Sequence, residues 1–123
     1  MNNFEKNELA LFAVEREINK RGLTTIHKPD AFRVNLFVEF GDGSRRKVHY
    51  KYSSEFDNFR TPSVDHIDSN DLVGLYIESQ DSVKLCEGQE VLDKWEPCGR
   101  DGSLYFNQLT GIFTTNKKEE VTA

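Results

Sequence analysis

Arg45, Arg46, Lys47 and Lys51 crowd one short stretch of a chain whose net charge is −5. Cations at that density suit contact with phosphates, the groups through which proteins hold a nucleic-acid backbone. His49 lies among them, and Asn35 stands where a neighbouring strand would face it. Tyr50, Tyr52, Phe56 and Phe59 are interleaved with Arg45, Arg46, Lys51 and Arg60. Such a series suits stacking on bases or filling a protein interface, and packing of a loop onto the core is its commoner use. Asp65-His66-Ile67-Asp68 carries metal-friendly groups, although loops are rich in them. Gly41-Asp42-Gly43 lacks the third glycine and the following helix of a phosphate loop, and reads as a hairpin turn.

Elements of two kinds must position these side chains. A helix is expected from Asn7 to Arg21, with Ala10, Leu11, Val14 and Ile18 on one face and Gly22 as its stop. Glu15 lies about 60° from the centre of that stripe, at the border of the core. Phe32 to Phe40 alternates strictly, with Phe32, Val34, Leu36, Val38 and Phe40 on one face and Arg33, Asn35, Phe37 and Glu39 on the other. Lys47 to Tyr52 is the return strand.

Turn length sets what faces what in this hairpin. A two-residue Asp42-Gly43 turn pairs Asn35 with Tyr50, whereas a three-residue Gly41-Asp42-Gly43 loop, with Gly43 left-handed, pairs Asn35 with His49. The longer loop is expected, because it matches Leu36 with Val48 and keeps Lys51 out of the apolar face. Asn35, Phe37, His49 and Lys51 then share the face opposite the apolar row.

The remaining elements are a short extended piece from Leu23 to His27, ended by Pro29, and a long polar connection from Ser53 to Asn70. Leu72 to Glu78 reads as a buried strand, Gln80 to Ser82 as a turn, and Val83 to Cys86 as a shorter strand. Gln89 to Trp95 suits a short helix with Trp95 as its core anchor, and Leu104 to Phe106 an added strand or core cover. The fold class is therefore α+β, a mixed α/β arrangement. An N-terminal helix precedes a mixed or antiparallel sheet of four or five strands, and a short second helix follows. Residues 1–113 are expected to form one domain, and 114–123 a flexible tail.

Four stretches, Glu15-Arg-Glu-Ile-Asn-Lys-Arg-Gly22, Val34-Asn-Leu-Phe-Val38, Lys47-Val-His-Tyr-Lys-Tyr-Ser-Ser54 and Asn70-Asp-Leu-Val-Gly-Leu-Tyr-Ile77, together resemble the PD-(D/E)xK nuclease superfamily. The likeness is strongest to Holliday-junction resolvases and group I intron-associated endonucleases. It implies a catalytic group of Glu15, Asn35, His49 and Lys51 around a Mg²⁺ or Mn²⁺ ion that activates water and steadies the phosphate. Asn35 falls where the family has an aspartate, and His49 where it has Glu or Gln. An amide offers one neutral oxygen, and imidazole is a poor ligand for Mg²⁺ though a good one for Mn²⁺ or Zn²⁺. The resemblance thus implies a degenerate site rather than an active enzyme; an active form would be a metal-dependent nuclease. Asp30, beside Pro29, is either a substitute acid or a turn residue.

Composition narrows the partners. The acidic balance, 21 carboxylate against 16 cationic residues, argues against broad DNA binding but leaves room for a local basic site. Cys86 and Cys98 are too few for a disulfide framework or a zinc tetrad and fit two reduced thiols. The opening residues carry an acidic group where a signal peptide would be basic, and no apolar run reaches membrane length, so the expected location is cytoplasmic. The function expected is a nucleic-acid-associated domain of nuclease-like fold, with Arg45, Arg46, Lys47 and Lys51 on phosphates. The alternative is a small acidic protein-binding module, such as a phage or mobile-element inhibitor or adaptor of a host enzyme. A homodimer fits either.

Overall fold

The computed structural model describes residues 2–29, 34–54, 58–61, 64–98 and 101–111. Phe32, Arg33, Asp30, Phe56, the tail from Thr114 and the side chains of Phe59 and Arg60 lie outside the described residues. The fold is α+β: a helix, a five-stranded mixed sheet and a short second helix, to which a three-stranded sheet is added.

Helix α1 (Asn3–Lys20) begins four residues earlier than the apolar spacing suggests, because Asn2 and Glu5 form a capping box. The Asn2 carboxamide oxygen accepts the Glu5 N–H at 2.8 Å, and the Glu5 carboxylate accepts the Asn2 N–H at 3.3 Å. Its far end is closed by Gly22 at φ 81, in the left-handed region that glycine tolerates. Ala10, Leu11, Ala13, Val14 and Ile18 are buried.

Strands β1 (Thr24–Pro29), β2 (Val34–Glu39) and β3 (Arg45–Ser53) form an antiparallel meander. The hairpin register is the one that the three-residue loop predicts: Leu36 pairs with Val48 and Val38 with Arg46. Gly43 has φ 87, and its N–H donates to the Phe40 carbonyl at 2.9 Å. The Asp42 carboxylate closes the loop by accepting the Ser44 N–H and hydroxyl.

Strand β5 (Leu72–Ile77) lies parallel to β3, and β6 (Ser82–Glu87) is antiparallel to β5, giving the order β1-β2-β3-β5-β6. A parallel neighbour needs a long crossover. Here that crossover carries β4 (Asn58–Thr61), which joins β8 (Asp101–Tyr105) and β7 (Glu96–Cys98) in the second sheet, order β4-β8-β7. Neither β4 nor β7 is expected from the sequence. Helix α2 (Gly88–Lys94) ends immediately before Trp95, which packs against the core around Val91 and Leu104, as expected, and presses its ring on Gly102, where a β-carbon would come within 2.0 Å.

All six residues of β5 are buried, because both faces of the sheet are covered there. On one face α1 packs against Leu36, Val38, Phe40, Val48, Tyr50 and Leu72. On the other, Val73, Leu75 and Cys86 meet Val64, Ile67, Val91, Leu104 and Leu109. That second core lies over β5 and β6.

Candidate nucleic-acid interface

Strand alternation assigns the polar side chains to faces. Val48 packs under α1, so Lys47, His49 and Lys51 point to the opposite side, where His49 pairs with Val73 and Lys51 with Leu75 of the second core. The β1 and β2 partners on this side are Thr24, Ile26, Lys28, Asn35, Phe37 and Glu39. With Arg45 they make one continuous face of the meander. It carries four cations, Lys28, Arg45, Lys47 and Lys51, and from these strands a single carboxylate, Glu39.

Among the described residues this face is open: Lys28, Arg45 and Lys47 are exposed, and Phe37, Asn35 and Lys51 half-buried. Arg45 leans on Glu39, Nε to Oε2 3.0 Å, in an ion pair exposed enough to be worth at most about 1 kcal/mol. A phosphate can draw such an arginine away at little cost. The Lys28 ammonium lies 5.4 Å above the centre of the Phe37 ring.

Arg46 does not join this face. It pairs with Val38 and so lies on the α1 side, where its guanidinium forks onto the Glu87 carboxylate and its Nε donates to the Asn70 carbonyl at 2.5 Å. It fastens the start of β3 to the ends of the crossover and of β6. Tyr50 and Tyr52 also turn to the α1 side: the Tyr50 hydroxyl donates to the Val34 carbonyl at 2.7 Å and Tyr52 to Glu78. The Glu78 acceptor, with burial, holds the Tyr52 phenol protonated up to a pKa of about 12.

Glu15 is on the α1 side too. Its carboxylate accepts the Thr25 hydroxyl at 2.5 Å and lies 2.7 Å from His27 Nε2, and these residues stand opposite Val38 and Leu36. The group expected from the resemblance is therefore split by the sheet: Glu15 on one side, Asn35, His49 and Lys51 on the other. The residues do not fit a Mg²⁺ or Mn²⁺ ion, and among the described residues no three His, Cys, Asp or Glu side chains are grouped to hold a metal.

His49 has partners that the strand pattern does not reveal. Its Nε2 is 2.8 Å from Asp71 Oδ2, and that oxygen also accepts the Asp68 N–H at 3.0 Å. The His66 ring meets His49 edge-on, centroids 5.4 Å apart. The two side chains of the dyad are 10% and 14% exposed. Burial pushes the His49 pKa below its usual 6.5; the Asp71 hydrogen bond and charge oppose this and lose, while Lys47 and Lys51 add to the lowering. Neutral imidazole bonded this way carries its proton on Nε2, which donates to Asp71 and leaves Nδ1 as an acceptor. Asn35, Lys47, His49, Lys51 and His66 line a small cavity at this place.

Lys28 and Asp71 are the members of the site that sequence reasoning missed, and His66 it read only as a metal-friendly group of a loop. The first depends on the β1–β2 register and the others on the crossover. No helix among the described residues is long and apolar enough to span a membrane. No family model, no curated protein and no solved structure matches the chain.

Proposed function

We propose that this chain is a nucleic-acid-binding module that works without cleavage, using the open face of β1, β2 and β3. The observation that carries the reading is the segregation of charge. A protein with net charge −5 gathers Lys28, Arg45, Lys47 and Lys51 on one sheet face. Condensed counterions released from a phosphate backbone would drive binding there, and the acidic remainder of the surface would limit attachment elsewhere. The separation of Glu15 from Asn35 and His49 favours a holding surface over a cutting one.

Fluorescence anisotropy of a labelled 20-nucleotide single strand, titrated between about 50 and 250 mM salt, tests this. Lys47→Ala and Lys51→Ala should each weaken binding and reduce the slope of log K against log salt by about 0.7. Lys20→Ala, an exposed cation on α1, should leave both unchanged. Equal effects from all three variants would refute the assignment of the face.

A protein partner is the second reading. Phe4 and Phe12, 65% and 57% exposed on α1, are large apolar side chains turned to solvent. Phe12→Asp would then abolish capture of a protein partner that survives nuclease treatment, without altering nucleic-acid affinity.

A further inference from the structure

The open face has a finer structure than a spread of charge. The cavity lined by Asn35, Lys47, His49, Lys51 and His66 measures about 110 Å³, well below the roughly 300–1,000 Å³ of a pocket for a drug-sized ligand. It has room for a tetrahedral oxyanion and none for a nucleobase with its sugar. Among the described residues its lining is Asn35, Lys47, His49, Lys51 and His66 together with Val34, Val48 and Tyr50, and includes no acidic residue. Asp71, the nearest acid to His49, is not part of that lining. Asp71 fixes the ring of His49, and the edge-on ring of His66 braces it from the crossover.

Directly across the ladder from Lys47 stands Phe37. Cross-strand neighbours have β-carbons about 5 Å apart, so the ring adjoins the cavity's wall. Ile26, half-buried, pairs with Phe37 from β1 and extends the apolar floor.

We propose that this juxtaposition is a recognition unit for one nucleotide of a single strand: the phosphate enters the cavity between Lys47 and Lys51, and the base lies on Phe37. The inference rests on the binding function proposed above and narrows it. In a duplex the bases are stacked and paired inside, so none is free to reach a ring on a flat sheet face. The unit therefore selects single strands. The Lys28 ammonium, now above the Phe37 ring, moves aside to a neighbouring phosphate when the base arrives.

The test uses the full chain with a labelled single-stranded oligothymidylate, the matching duplex, and inorganic phosphate. The single strand should bind at least about tenfold more tightly than the duplex. Phe37→Leu should weaken single-strand binding about tenfold, within the range for loss of one base stack, while the salt slope stays as in the wild type. Phe37→Tyr should restore most of the affinity, which a merely disrupted sheet would not allow. In an NMR titration, inorganic phosphate should shift the ring protons of His49 and His66 and leave His27 unmoved, and the single strand should displace it.

Equal affinity for duplex and single strand, or wild-type binding by Phe37→Leu, would overturn this unit and leave the broader reading intact if the salt slope still depends on Lys47 and Lys51. Phosphate that moves all three histidines alike, or that the single strand does not displace, would also overturn it. Absence of any salt-dependent binding would remove both.

Discussion

His49 Nε2 and the Asp71 carboxylate lie 2.8 Å apart beneath the open sheet face, and yet burial keeps the imidazole neutral. The folded pKa is below the unfolded value of 6.5, so the unfolded chain takes up a proton at a higher pH than the folded one. The stability tied to this group is complete above pH 6.5, declines below it, and is lost as pH falls through the folded value. Urea unfolding of wild type between pH 7.5 and pH 5 should show that decline, and His49→Gln should flatten the part of it that falls in this window. The two slopes coinciding would mean that His49 titrates as freely in the folded protein as in the unfolded one.

Val14 on α1 rests on Gly74 of β5, and an added β-carbon there would come within 2.5 Å of a Val14 methyl. Both methyl groups of a buried valine stand in the way, so the helix itself must lift. Gly74→Ala should lower stability by about 1–3 kcal/mol, the usual cost of overpacking. In a Val14→Ala background the same change should cost distinctly less, because the obstructing methyls are gone. Denaturant midpoints of the four proteins measure the coupling, and strict additivity would show that α1 yields elsewhere.

Cys86 is fully buried in the second core, and burial pushes its thiol pKa up to about 12, with Glu90 nearby adding to the rise. Thiolate is the reactive form, so the native thiol should resist modification. In a Cys98→Ser protein, a chromogenic disulfide reagent should release no colour under native conditions and one equivalent in denaturant. Prompt native labelling would place Cys86 outside a closed core.

The hairpin was legible because two local rules agree on it. Gly41-Asp42-Gly43 offers a left-handed third position, and only the matching register spares the apolar row a lysine; Leu36 indeed faces Val48. The position of Glu15 was legible in principle for the same reason. An apolar helix stripe must pack on the apolar row of Leu36 and Val38, which carries its acidic border away from Asn35 and His49. Motif resemblance pulled those residues together; packing separates them. Strand β4 is four residues long and β7 three, with Pro97 in a strand at the edge of its sheet, and such pieces leave little periodicity to read. His66 and Asp71 reach His49 only through the fold of the crossover, a non-local fact that no spacing along the chain encodes.

Arg46 and Lys47 are chain neighbours that alternation sends to opposite sides of the sheet, and their substitutions should therefore have opposite signatures. The Arg46 side chain is 20% exposed and Glu87 26%, and the guanidinium also satisfies the Asn70 carbonyl. Arg46→Ala strands a half-buried carboxylate and should lower stability by about 1–3 kcal/mol. Lys47 is exposed on the open face, where truncation should change stability by less than about 0.5 kcal/mol. Its loss should instead appear as weaker, less salt-sensitive binding. Measured side by side, thermal unfolding should single out Arg46→Ala and anisotropy Lys47→Ala. A binding defect in Arg46→Ala that persists at temperatures where the variant is fully folded would mean that the arginine leaves Glu87 to meet phosphate, and that the charged surface wraps around the edge of the sheet.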